Sequence, residues 1–193
     1  METADLLNAL VAPLKALLSK AEGGMASLQY DGVEYITRAP KTSFWRACTD
    51  NDRGSKHGTL RNQWFGAGLF PKLLDVRVTE GECEAGVTFI HELQTYPRTT
   101  QEVTYTVSGD GTVQVTAVYH GVEGLPTLPV FAMDFKVKEK YHNFRYYGLG
   151  PEENYIDRKE GARLGVFENT AEGNMPYYLV PQECGNRTGV RWL

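Results

Sequence analysis

The segment Phe44 to Gly54, Phe-Trp-Arg-Ala-Cys-Thr-Asp-Asn-Asp-Arg-Gly, places two carboxylates (Asp50, Asp52), a carboxamide (Asn51) and two guanidiniums (Arg46, Arg53) behind two aromatics. A calcium loop would need oxygen ligands at positions 1, 3 and 5, glycine at 6 and glutamate at 12. Counted from Asp50, Gly54 falls at position 5 and Arg61 at 12, so that spacing fails. A retaining glycosidase draws its two carboxyls, about 5 Å apart, from different elements on opposite sides of the scissile bond. Asp50 and Asp52 sit too close in sequence for that. Asp and Asn cap their own turns, with Arg46 or Arg53 able to pair with them, and this reading suits at least one of the acids better.

A second segment, Tyr146 to Gly165, joins a Gly148-Leu149-Gly150-Pro151 bend to Glu152, Glu153, Asn154, Tyr155, Asp157 and Arg158. A dinucleotide loop opens a helix with G-x-G-x-x-G. Here Pro151 follows the second glycine and acids follow the proline, which would repel a pyrophosphate, so the glycines serve backbone geometry. A third segment, Met175 to Leu193, holds paired tyrosines, two prolines, and Glu183 with Arg187. Tyrosines can stack on sugar faces, although beside strands they more often pack a core.

These segments need a scaffold, and the intervening sequence reads as strands. Met25 to Tyr30 and Val33 to Thr37 flank Asp31-Gly32, a pair suited to a type I′ hairpin turn. Val-, Thr-, Tyr- and Phe-rich runs with period-2 character recur at Leu73 to Thr79, Gly86 to Leu93, Thr99 to Ser108, Thr112 to His120, Phe131 to Val137 and Phe144 to Leu149. Thr49 to Gly68 and Gly150 to Pro181 read as loops, where function would sit. At the N-terminus, Leu6, Leu7, Leu10 and Val11 follow a helical stripe until Pro13, so residues 1 to 12 read as a helix, tag or linker remnant, and Leu14 to Ser19 begins a strand. The chain ends in the alternating run Val190-Arg191-Trp192-Leu193, which reads as a cut strand whose unpaired edge would favour homo-oligomers. No linker interrupts residues 1 to 193, and the pattern is that of one all-β domain, an antiparallel sheet packed on a sheet.

Composition bounds the partners. With 193 residues, 41% apolar and 23% charged, the chain can bury a core. Its net charge of -4 and scattered basic residues leave no footprint for nucleic acid. No apolar run reaches the roughly 20 residues of a bilayer span and no signal peptide is visible, which points to the cytoplasm. Cys48, Cys83 and Cys184, odd in number and widely spaced, suggest neither a disulfide framework nor a zinc site.

Taken together, the three segments resemble the C-terminal region of long family 2 glycoside hydrolases of the β-galactosidase type, whose signatures are similar to FWRAPTDNDxG, GLGPxENYxDRxxGAxxG and YxxPQExGNRxxVRW. They stand here at Phe44 to Gly54, Gly148 to Gly165 and Tyr178 to Trp192, in that order, and depart at Cys48, where proline is usual. The resemblance implies a galactose-mutarotase-like supersandwich, short of strands and of a Gly-, Asp- and Trp-rich motif at its C-terminal side. It implies that the catalytic glutamates belong to a barrel outside this chain, leaving no catalytic residue here. The rim of the galactoside site would fall on Asp50, Asn51, Asp52, Gly54, Ser55, Lys56 and His57. Trp45, Arg46, Gly148, Gly150, Pro151, Glu153, Asn154, Tyr155, Asp157, Arg158, Gln182, Glu183 and Arg187 would hold the structure. The implied partners are the remaining domains or a large subunit of a β-galactosidase and, in the whole enzyme, its galactoside. No cofactor is implied in this segment, and any Mg2+ or Na+ would be bound elsewhere in the parent.

Two other readings use the same sheet. An aldose 1-epimerase would need histidines beside a carboxylate, and His57, His91, His120 and His142 all lie outside the Glu-Asn-Tyr-x-Asp-Arg stretch. A free-standing carbohydrate-binding module would use Trp45, Trp64 and Tyr177 as stacking faces.

Overall fold

A computed structural model describes residues 6–11, 13–55, 59 and 61–193, with side chains from residue 13 onward. Lys56, His57 and the outermost part of the expected N-terminal helix lie outside the described residues. No linker marks a division in the sequence, yet packing separates two compact units, Met1–Arg46 with Thr59–Val137 and Ala47–Gly58 with Lys138–Leu193.

In the first unit, β1 (Leu6–Val11), β2 (Leu14–Ser19), β3 (Gly24–Tyr30) and β4 (Val33–Glu34) form an antiparallel sheet in that order. The helix expected across residues 1–12 is therefore corrected over Leu6–Val11, which pairs residue for residue with β2. The run Leu-Leu-Asn-Ala-Leu-Val fits either period, and a proline just beyond it suits a turn while it would break a helix. At Asp31-Gly32 both φ angles are positive, 49° and 73°, as the I′ turn requires. The strand expected as Val33 to Thr37 breaks at Tyr35. Here β4 stays with β3, whereas β5 (Ile36–Ser43) leaves to pair with β10 (Ala132–Val137). The Glu34 carboxylate accepts from the Leu28 and Ile36 amides and so bridges the break.

A second sheet runs β6 (Lys72–Glu80), β7 (Glu84–Leu93), β8 (Thr99–Ser108) and β9 (Val113–His120). Its β8 strand buries every second residue, from Thr99 through Gln101, Val103 and Tyr105 to Val107. Leu18 and Met25 of the first sheet and Ile36 of β5 meet Val87, Phe89, Val103 and Tyr105 of the second, which makes the unit an antiparallel sandwich. Burying a side chain of this size contributes about 1.5–3 kcal/mol.

Among the described residues, part of the expected loop at Thr49 to Gly68 is helical, including α1 (Asp50–Gly54) and α2 (Gln63–Leu69). The sequence Gln-Trp-Phe-Gly-Ala-Gly-Leu carries two glycines and so a weak helix propensity. Packing decides instead, because Trp64 and Ala67 are buried against Phe44 and Leu93. Trp64 also donates from Nε1 to the Pro126 carbonyl at 3.2 Å.

In the second unit β11 (Asn143–Gly150) pairs along its whole length with β12 (Arg163–Thr170). The expected loop from Gly150 to Pro181 thus contains a strand. Leu164 and Val166 are exposed on it, so the apolar alternation faces outward and gives no core signal. Residues 190–193, expected to offer an unpaired edge, are paired on one side with β11. Tyr147 N donates to Trp192 O (3.0 Å), and Arg191 N donates to Tyr147 O (2.7 Å).

Candidate functional site

The second unit holds the first sequence motif from Ala47 onward together with the whole of the other two. Thr49 caps α1 reciprocally: its hydroxyl accepts from Asp52 N (3.3 Å), and the Asp52 carboxylate accepts from Thr49 N (3.0 Å) and from the Thr49 hydroxyl (3.0 Å). Asp52 is thereby committed to a capping box. Asp50 and Asn51 are exposed, as are Gly54 and Ser55 at the end of the helix. The Asp50 amide donates to the Pro181 carbonyl at 2.8 Å, which fastens the first motif to the third. Upstream, in the first unit, Trp45 is half-buried and stands edge-on to Phe65 at 6.0 Å, and Arg46 is half-buried after it.

The bend after β11 depends on having no Cβ at its glycines. A Cβ on Gly148 would stand 3.0 Å from Val190 Cα, and one on Gly150 would stand 2.5 Å from Tyr146 Oη and 2.7 Å from Phe167. Beyond the bend and the exposed Pro151, Asn154 is 1% exposed and its side chain joins two strands of polypeptide. Nδ2 donates to the Leu149 (2.9 Å) and Glu152 (3.2 Å) carbonyls, and Oδ1 accepts from Thr188 N (2.9 Å) and Oγ1 (2.5 Å). Its own amide donates to Asn186 O at 2.9 Å.

Next to it lies a charged knot. Arg158 Nε donates to Glu153 Oε1 at 2.9 Å, and Nη1 reaches Asp157 at 3.3 Å. Arg158 Nη2 also donates to the Glu183 carbonyl, and the Tyr178 hydroxyl donates to Glu153. The guanidinium lies over the rings of Tyr155 (5.7 Å) and Tyr178 (5.4 Å). Burial pushes the Glu153 carboxyl up, but hydrogen bonds from Arg158 and Tyr178 and the Arg158 charge outweigh it, and the net shift is downward. The hydrogen bond to Glu153 raises Arg158 further above its already high value. A carboxylate held this way is a poor proton donor near neutral pH, and as a nucleophile it is already engaged. Arg187 stacks on Tyr146 at 5.7 Å, and Gln182 is exposed.

The structure thus brings Glu153, Asn154, Tyr155, Asp157 and Arg158 together with the backbone around Glu183 and Thr188. Thr188 and Tyr178 were not legible as partners, because neither stands in a spacing that implies a bond. Thr49 was legible in principle, since Thr-x-x-Asp resembles the Ser/Thr-x-x-Glu capping pattern. Of the stacking faces expected for a carbohydrate module, Trp64 is corrected: at 1% exposure it is core. Tyr177 is 99% exposed. His91 and His120 belong to the first unit and His142 to the second, where it contacts Glu172 at 3.4 Å. Among the described residues, no group of three or more His, Cys, Asp and Glu is placed to hold a metal ion, and no helix is long and apolar enough to cross a membrane.

Residues 12–193 match the family described as "Beta galactosidase small chain". A β-galactosidase of Clostridium acetobutylicum is 49% identical over 156 residues, 81% of this chain and 17% of that protein. A β-galactosidase of Halalkalibacterium halodurans is 43% identical over 178 residues, 91% of this chain and 18% of its own length. A β-galactosidase small subunit of Latilactobacillus sakei is 36% identical over 197 residues, covering 92% of this chain and 61% of that subunit. The chain therefore spans only part of each of these relatives.

Proposed function

Because this chain belongs to the β-galactosidase small-chain family, we propose that it is a non-catalytic component of a β-galactosidase, one that supports the catalytic domain and borders the galactoside site. The observation that carries this reading is the commitment of the motif side chains. Asp52 is spent on a helix cap, Asn154 on joining two backbone segments, and Glu153 on Arg158 and Tyr178. Hydrolysis of a glycoside requires one carboxyl free to protonate the leaving oxygen and another free to attack. In this reading both are supplied by the remaining domains or by a large subunit, in the cytoplasm, and any Mg2+ or Na+ is held there as well. The sandwich is a section of a galactose-mutarotase-like supersandwich. In this reading the rim falls on Asp50, Asn51, Asp52, Gly54 and Ser55, all exposed except the half-buried Asp52, and on Lys56 and His57, which lie outside the described residues.

The test is reconstitution. The remaining polypeptide of a parent β-galactosidase is expressed separately and assayed with a chromogenic β-galactoside, with and without this chain. Co-sedimentation of the two and a gain in turnover are expected. A companion whose activity and stability are indifferent to saturating amounts of the chain would overturn the reading.

A further inference from the structure

His91 on β7 and Gln101 on β8 are directly opposed across the second sheet of the first unit. Both point inward and are 5% and 2% exposed. Each presents a buried atom, His91 Nδ1 and Gln101 Oε1, without a hydrogen-bonding partner among the described residues. Both residues line one cavity of about 40 Å3, together with Gly23, Gly24, Thr42 and Lys41. Buried polar atoms are satisfied in the great majority of cases, so a coincidence of two in one cavity points to a ligand.

The other edge of the imidazole fixes what kind of ligand. Nε2 faces Gly23 so closely that a Cβ there would stand 2.6 Å away. Nε2 is thus the ring nitrogen on the Gly23 side, and the Gly23 backbone favours the protonated ring, which assigns the proton of the neutral ring to Nε2. In the neutral ring, which burial favours, Nδ1 is then a bare lone pair. Gln101 Oε1 is an acceptor as well. Directly opposed residues in an antiparallel pair have Cβ atoms about 4.5–5.5 Å apart, a gap that one small molecule can bridge. Two acceptors facing one cavity call for a molecule with two donors. A water needs about 10–15 Å3 of such space.

We propose that this cavity is a binding site for an ordered water, which donates one hydrogen to His91 Nδ1 and the other to Gln101 Oε1. The water fixes the imidazole that holds the Gly23 turn, and so couples β7 and β8 to the loop between β2 and β3.

The test is a crystal structure of the 193-residue chain that resolves solvent, together with 15N spectra of its histidines. A single peak about 2.7–3.2 Å from both atoms and a proton on Nε2 of His91 are expected. In Gln101→Leu the peak should be lost while the Nε2 proton stays. The proposal is overturned by a dry cavity, by a direct bond from the Gln101 amide nitrogen to Nδ1, or by a peak at the shorter distances of a metal ion that follows the salt supplied. The wild-type data decide the matter even if the variant does not fold.

Discussion

Replacing Asn154 by alanine removes the side chain that fastens the bend after β11 to the segment at Thr188. Four hydrogen bonds are lost, two donated to Leu149 O (2.9 Å) and Glu152 O (3.2 Å) and two accepted from Thr188 N (2.9 Å) and Oγ1 (2.5 Å). A hydrogen bond contributes about 0.5–1.5 kcal/mol net, and a buried group left unpaired costs about 1–3 kcal/mol. Glu152 is exposed and Thr188 half-buried, so water compensates part of the loss. The expected destabilisation is about 2–4 kcal/mol, a large share of the roughly 5–15 kcal/mol available to a domain. With a urea slope of about 1–3 kcal/mol per M, the unfolding midpoint of the second unit, followed by near-UV circular dichroism, should fall by about 1–2 M. Asn154→Asp is the informative control. It keeps an acceptor for Thr188 but places a carboxylate against two carbonyls, so it should do at least as much damage. A midpoint within about 0.2 M of wild type for both variants would refute the view that this amide holds the motif together.

Three further outcomes follow from the same contacts. Glu153 titrates below its ordinary value in the folded chain, so its contribution to stability is full above the unfolded carboxylate pKa of about 4.3 and is lost as pH falls through the folded value. Glu153→Gln should flatten the acid limb of a stability-against-pH curve, and an unchanged limb would contradict the Arg158 pairing. Asp52→Ala should loosen the 49–55 turn by about 0.5–2 kcal/mol, seen as faster amide exchange at Thr49 with the sandwich core unaffected. Gly23→Ala forces a side chain onto a residue at φ +65° and drives its Cβ to 2.6 Å from His91 Nε2. A loss of about 2–4 kcal/mol is expected, smaller in a His91→Ala background, and strict additivity of the two would count against the contact.

Strands whose apolar residues face a core were legible from sequence. The β8 strand, with its buried Val103, Tyr105 and Val107, coincides with the expected run from Thr99 to Ser108. The Asp31-Gly32 turn was legible because few residue pairs accept two positive φ angles. Other elements were hidden for identifiable reasons. In β12 the apolar residues Leu164 and Val166 face outward, α2 is a glycine-containing helix held by Trp64, and Leu6–Val11 satisfies both the helical and the extended period. At the site, the acids of the second motif stood out, as did the role of the glycines. The partner of Asn154 lies 34 positions away at Thr188, a pairing no local pattern can announce.

In the proposed function these motif acids build a wall, and bond cleavage belongs to carboxyls outside the chain. This is tested most directly by incubating the purified 193-residue chain alone, at high concentration, with a chromogenic β-galactoside. No turnover above buffer is expected. Turnover that survives repurification and disappears in Glu153→Gln would contradict it.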